Sequence, residues 1–251
     1  MTSRQNLDNL LSNPIKSWEI FHQSSKLKKL SIISKAELLY SIKKNKYFKA
    51  YVRFKEFFLP KINQLSAIPK DQNPIINNNY PRSKKNCQLP LRKLSVLLQR
   101  SVGLVNIDNS KYKRAYTSTG KIYSLEIYLI PLKTSLPIGL YHYYIPNHSL
   151  EELLLLNISE LKAYIPNLSF KNISCVIFIT DVFNRSTVLY GDRGYRYSLV
   201  EAGQVAQNFY IYSNALNHQI RIIDQFIDDN VNKLLDIDGR SESVISILAI
   251  E

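Results

Sequence analysis

The stretch that decides the fold is YGDRGYRYSLVEAGQVAQN, residues 190–208. It opens with tyrosines and arginines set around Gly191 and Gly194, in a chain that has only seven glycines. Glycine tolerates backbone conformations and close approaches that a Cβ forbids, so two of them here mark a junction where the chain passes close to another group. The following SLVEAGQVAQNFYIYSNALN reads as a long helix over about 198–216, with Ala202, Gly203 and Ala206 leaving room for a close neighbour. On its own the stretch is a loop-to-helix junction whose tyrosines pack.

Upstream of it, SCVIFITDVF is a buried strand by its unbroken apolar run. SLEIYLIPL, GLYHYYIP and the final SVISILAI are further strands. LPLRKLSVLLQRSVG is a helix, with Pro90 near its start and Gly103 near its end. SLEELLLLNISELKAYI is predicted to be helical, because Ser149 followed by Glu152 has the spacing of a capping box. Residues 1–60, including SIISKAELLYSIKKNKYFKAYVRFKEFF, carry apolar residues at roughly helical spacing, and 61–86 are rich in Pro, Asn and Lys, as in a linker or extended arm. Mixed strands and helices predict an α+β class, a sheet covered by helices. Two units are expected: a basic helical N-terminal arm, 1–70, and a main domain, 71–251.

The 251-residue chain is 45% hydrophobic, enough for a real core, and carries a net charge of +13. Its longest apolar runs are too short to span a bilayer, and the N-terminus lacks the apolar stretch of a signal peptide, so a soluble cytoplasmic protein without a membrane partner is expected. Cys87 and Cys175 form no CxxC, and the four histidines form no HExxH, which argues against a disulfide framework or a metal hydrolase. The positive charge concentrates in residues 1–70, in KLKKL, KKNKYFK and RFKEFF. No nucleic-acid-binding module accompanies it, so the expected partner is an acidic protein surface rather than nucleic acid.

The order of the motifs is more specific than any one of them. LPLRKLSVLLQRSVGL, AYTSTGKIYSLEIYL, GLYHYYIPNHSLEEL, YGDRGYRYSLVEAGQVAQN and FIDDNVNKLLDIDGRSESVISILAI follow one another at these distances. So arranged, residues 80–251 resemble the SagB-type dehydrogenases of the nitroreductase superfamily. FHQSSKLKK is similar to that family's His-x-x-Ser-Lys region. The resemblance implies a nitroreductase-like FMN-binding fold, a central, mostly antiparallel sheet flanked by helices. It further implies an obligate homodimer with FMN at the subunit interface near the long helix. The implied activity is FMN-dependent oxidation of azolines to azoles in a ribosomally made peptide. The implied partners are a YcaO-type cyclodehydratase, a leader-binding protein and the precursor peptide, with molecular oxygen reoxidising the flavin.

The resemblance also assigns roles. Arg82, Ser83 and Lys85 of PRSKK match a basic segment that grips the FMN phosphate; read from the residues alone, they are an everyday surface cluster. Ser118 and Gly120 of TSTG stand where the family has Pro-Ser-x-Gly beside the flavin, with Thr117 replacing the proline; alone they read as a turn. Tyr190 is the implied catalytic residue, carried to the flavin by the YGDRGYRY junction. Asp224 and Gln225 occupy the loop before Phe226, where the family usually has a glycine and backbone amides approach the ring.

The main departure precedes Tyr190, where the family's lysine is Leu189. A phenol ionises near pH 10 and needs a cation to act as a base near neutrality. Three readings follow: Arg193, Arg196 or a basic residue of the partner subunit replaces the lysine; Tyr190 donates a hydrogen bond instead; or catalysis is lost. Two alternative functions accompany these, a flavin oxidoreductase acting on a carrier-bound thiazoline or small acceptor, and a non-catalytic scaffold for the cyclodehydratase.

Overall fold

The computed structural model describes residues 16–26, 48–61, 88–108, 111–166 and 168–251. Their centre is a seven-stranded sheet in which every pairing is antiparallel. With β1 as Lys55–Phe58, β4 as Leu125–Pro131, β5 as Gly139–Tyr144, β6 as Ser149–Leu155, β7 as Cys175–Val182, β8 as Ile220–Ile223 and β9 as Glu242–Ile250, the order across it is β1-β6-β5-β4-β7-β9-β8. A separate hairpin joins β2 (Leu104–Asp108) to β3 (Lys111–Arg114).

Both faces of the sheet are covered, which explains why β4 is buried along its whole length. Alternate residues serve two cores. Leu125, Ile127, Leu129, Ile177 and Ile179 meet helix α2 (Leu91–Val102) and the long helix α5 (Asp192–Ala215). Tyr128, Ile130, Val176 and Phe178 face the other way, toward the short helices α3 (Ile158–Tyr164) and α6 (Asp228–Leu234). Pro90 is the N-cap of α2 and Gly103 its C-cap, as the sequence predicts.

Two expectations fail, for one reason. Ser149–Leu155 is a strand, not the start of a helix. It hydrogen-bonds β1 on one side and β5 on the other. Two ladders satisfy its backbone better than a marginal helix does, and tertiary pairing overrides local propensity. The capping box lies eight residues later: Glu160 N–H donates to Asn157 Oδ1 (2.9 Å), and Asn157 N–H donates to Glu160 Oε2 (2.9 Å). Likewise RFKEFF contributes the edge strand β1, with Phe57 against the first core, rather than a helical turn. The end of the expected arm is thus an edge of the sheet. Its other described part is helix α1 (Ser17–Ser24), whose Phe21 meets Tyr195 of α5 edge-on at 5.4 Å. Most of residues 1–47 and the expected linker lie outside the described residues.

Candidate active site

At the end of β7 the chain enters α4 (Phe183–Tyr190), breaks at Gly191, and turns into α5. Gly191 has φ 56°, ψ −146°, a region that residues with a Cβ essentially never occupy. Gly194 acts differently. A Cβ there would lie 2.6 Å from the carbonyl carbon and oxygen of Ser186, so the two helices touch backbone to backbone. The long helix therefore begins at Asp192 rather than near residue 198, and Tyr190 is the last residue of α4 rather than part of the turn.

Two polar clusters anchor α4. On one side Ser186 Oγ lies 3.0 Å from Ser198 Oγ, itself 3.2 Å from Ser124 Oγ. Asp181, fully buried beside these serines, has no hydrogen-bond partner among the described residues, and burial raises its pKa. On the other side Arg185 Nη1 donates to Glu126 Oε1 at 2.5 Å. Glu126 also meets His142 Nε2 (3.1 Å), whose Nδ1 meets Glu151 (2.7 Å). Lys49 pairs with Glu242 at 2.5 Å in the same network. Burial opposes the Glu126 carboxylate, yet the His142 hydrogen bond and the Arg185 charge hold its pKa down at about 2. Burial also opposes the charged imidazole, yet the two carboxylates win and raise the His142 pKa. With His142 protonated, three acids face three bases.

Tyr190, so held, is half-buried, and its ring stands at 90° to that of Tyr197 with centroids 5.2 Å apart. Its hydroxyl abuts Gly120: a Cβ on Gly120 would overlap the phenol oxygen. Gly120 has φ 65°, and within the same turn Lys121 (57°) and Tyr123 (56°) also take positive φ. The hydroxyl of Ser118 faces inward and accepts the Tyr123 N–H at 2.9 Å. The structure thus brings Tyr190, Gly120 and Ser118 together, with Ser118 supporting the turn from beneath.

The phenol has no cation beside it among the described residues. Arg193 donates to the Tyr197 hydroxyl (2.9 Å) and to the Ser25 carbonyl (3.2 Å), and Arg196 donates to Ser25 Oγ (3.4 Å). Both arginines tie α5 to the end of α1. Burial, and then Tyr197, raise the Tyr190 pKa above its ordinary value, so the phenol is neutral. Leu189 is 3% exposed and faces the interior, away from its neighbour.

Between the segment that leads into the turn and helix α5 is an open cavity of about 480 Å³, within the usual size of a ligand site, lined by Tyr116, Thr117, Val200, Gly203, Gln204 and Gln207 among others, but not by Ser118, Gly120 or Tyr190. Nothing lies within 4 Å of where a Gly203 Cβ would be. Amide side chains, a glycine and a backbone turn suit a planar ring bearing both donors and acceptors, so these residues fit a flavin. Asp224 and Gln225 are exposed just beyond β8, and their side chains make no hydrogen bond among the described residues. The register of β8 on β9 carries them toward the end of the sheet where β7 passes into α4. Arg82, Ser83 and Lys85 lie outside the described residues.

No motif in the sequence assigns a role to Glu201, Asp181, Glu126 or Arg185. For Glu201 a signal existed: it shares the inward face of α5 with Ser198, Ala202 and Val205. A carboxylate at that spacing is a buried acid.

The sequence profile described as Nitroreductase family matches residues 85–250. Protein MJ1384 of Methanocaldococcus jannaschii, provisionally named a nitroreductase, is 30% identical over 185 residues, which are 72% of this chain and 90% of that protein. A crystal structure from Anabaena variabilis, also provisionally named a nitroreductase, superposes with a TM-score of 0.70 at 26% identity. It covers 92% of this chain, which spans only 45% of the Anabaena chain. A chain of the Escherichia coli microcin synthetase McbBCD complex, solved with truncated pro-MccB17 bound, shares the fold at a TM-score of 0.60 and 20% identity, covering 92% of this chain and 85% of that one.

Proposed function

The chain belongs to the nitroreductase family, and from that premise we propose that it is an FMN-dependent dehydrogenase oxidising peptide azolines to azoles. The observation that carries this reading is the seating of the Tyr190 hydroxyl on Gly120, three residues after Thr117, which lines a cavity suited to a flavin. The motif order and the fold shared with a microcin synthetase chain support the peptide substrate.

The cavity residues Thr117, Gly203, Gln204 and Gln207 would hold the flavin ring, and Arg82, Ser83 and Lys85 its phosphate. The backbone at Asp224 and Gln225 would approach from the end of the sheet, in a homodimer. FMN, when bound, supplies a hydride acceptor. Desaturating an azoline removes two hydrogens, a hydride to that acceptor and a proton. A neutral Tyr190 is suited to donate a hydrogen bond to the azoline nitrogen, which acidifies the adjacent carbon, and the proton leaves to water in the open cavity. The partners in this reading are a YcaO-type cyclodehydratase, a leader-binding protein and the precursor peptide, and the compartment is the cytoplasm.

The test is the absorption spectrum of the purified protein with FMN, followed by mass spectrometry of an azoline peptide incubated with it. The reading expects a yellow protein and the loss of two hydrogens per ring. Tyr190→Phe keeps the colour and loses the reaction. A second reading, a non-catalytic subunit of the same complex, is favoured by the lack of a cation beside Tyr190 among the described residues. It expects colourless protein that takes up no FMN.

A further inference from the structure

A row of polar side chains crosses the sheet on the face toward α3 and α6, and the pairing register puts it there. Tyr128 of β4 stands opposite His142 of β5, and His142 stands opposite Glu151 of β6. Glu126, two residues before Tyr128, shares their face because side chains alternate along a strand. His142 is wholly buried, with Nδ1 2.7 Å from Glu151 Oε2 and Nε2 3.1 Å from Glu126 Oε2. A carboxylate only accepts hydrogen bonds, so both ring nitrogens carry hydrogens and the ring is an imidazolium.

Each carboxylate uses its other oxygen to hold a different segment. Glu126 Oε1 accepts from Arg185 Nη1 at 2.5 Å, and Arg185 belongs to α4, whose last residue is Tyr190. Glu151 Oε1 accepts the Tyr51 N–H at 2.9 Å, in the segment ahead of β1. We propose that His142 is a positioning residue of the site: its imidazolium aims Glu126 at Arg185, which sets α4 and with it Tyr190, and aims Glu151 at the Tyr51 N–H. That Tyr190 works on a substrate rests on the functional reading above; the hold of His142 on α4 does not.

The ring acts through its charge. It is faced by Glu126 and Tyr128 from β4, by Glu151 from β6 and by Tyr51, with the two tyrosine rings 5.1 and 5.2 Å from the imidazole. Arg185 of α4 meets Glu126, and Lys49 meets both Tyr128 and Glu242 of β9. Without the His142 proton, Glu126, Glu151 and Glu242 would face only Arg185 and Lys49, and one buried negative charge would be unbalanced. A ring nitrogen would then present a lone pair to a carboxylate, and the longer contact, to Glu126, yields first. Glu126 is 2% exposed, so water cannot take the place of the ring. The carboxylate turns, and Arg185 loses its fixed partner. The serine contacts on the other side of α4 remain, so the helix loosens locally rather than unfolding.

The experiment combines ring-nitrogen NMR with hydrogen–deuterium exchange on the full chain at pH 7. In wild type both His142 ring nitrogens are expected to carry hydrogens; a neutral ring overturns the proposal, whether or not any variant folds. His142→Gln is expected to lower protection about tenfold in a peptide spanning 183–190, the effect of one charge-assisted hydrogen bond, and to leave a control peptide spanning 158–164 of α3 unchanged. Arg185→Gln does the same, and Arg185→Lys restores most of the protection, since a single nitrogen makes the contact. Protection at 183–190 that survives in His142→Gln, or an equal loss at 158–164, overturns the proposal. In azole formation His142→Gln should lower kcat about tenfold with KM kept, because Tyr190 is displaced rather than removed; an unchanged kcat overturns the positioning role. FMN titration of the same samples judges the functional reading separately. Wild type with a charged His142 and no FMN binding keeps the hold on α4 and removes the flavin enzyme; FMN binding with a neutral His142 does the reverse.

Discussion

Replacing Gly120 with alanine tests the contact on which the site is built. The added Cβ takes a φ of 65° and overlaps the Tyr190 hydroxyl. Positive φ costs a residue with a Cβ about 1–2 kcal/mol. The smaller entropy of the unfolded chain offsets about 0.4–1 kcal/mol of that. Forcing an atom into filled space adds about 1–3 kcal/mol. Gly120→Ala should therefore lose about 2–4 kcal/mol. The Tyr190 ring carbon Cζ lies 3.5 Å from the Cβ position, an ordinary contact, so only the oxygen collides. In a Tyr190→Phe background the overlap vanishes and the same substitution should cost about 1 kcal/mol, the conformational part alone. Urea unfolding of the four proteins closes the cycle, and the expected coupling is about 1–3 kcal/mol. Additivity within about 0.5 kcal/mol would refute the seating of the hydroxyl on Gly120. The cycle also separates stability from chemistry: the double variant regains most of its stability and remains inactive on azolines.

The remaining predictions concern the surroundings of Tyr190. Leu189→Lys, which restores the family residue, should destabilise the protein by about 3 kcal/mol or more without raising activity, because the position faces the core and the ammonium would be buried unpaired; a gain in azole formation would sink this. His142 has a raised folded pKa, so the stability it contributes is complete below about 6.5, its unfolded value, and is lost as pH rises through the folded value. Urea midpoints measured from pH 6 to 9 should fall with pH in wild type and fall less in His142→Gln. Asp181 has a raised folded pKa as well, so its ionisation weakens the fold as pH rises from about 4, its unfolded value, through the folded one. Asp181→Asn should accordingly unfold at higher urea than wild type at pH 8 and show little difference at pH 4; equal midpoints at pH 8 would contradict it.

Much of this was legible in the sequence. The α+β class, helix α2 with its Pro90 and Gly103 ends, strands β4, β5, β7 and β9, and the long helix follow from periodicity and breakers, because burial on one face repeats along the chain at the period of the element. The pairing of two glycines with three tyrosines at 190–197 marked the junction that carries Tyr190, since only glycine occupies the conformation found at Gly191. The neutrality of Tyr190 was not legible. Arg193 and Arg196 stand three and six residues away in sequence, but their guanidinium groups reach across to Ser25 of the α1 end. Nor was the inward turn of Leu189, because neighbouring residues on a helix point about 100° apart. Ser149–Leu155 shows the same limit: local spacing allowed a helix, and two flanking strands, one of them nearly a hundred residues earlier, made it a strand. Composition and order alone thus determined which elements exist and which residues deserve suspicion. Only the folded chain decided which polar groups face one another in a dry interior, because those distances join residues that the sequence keeps far apart.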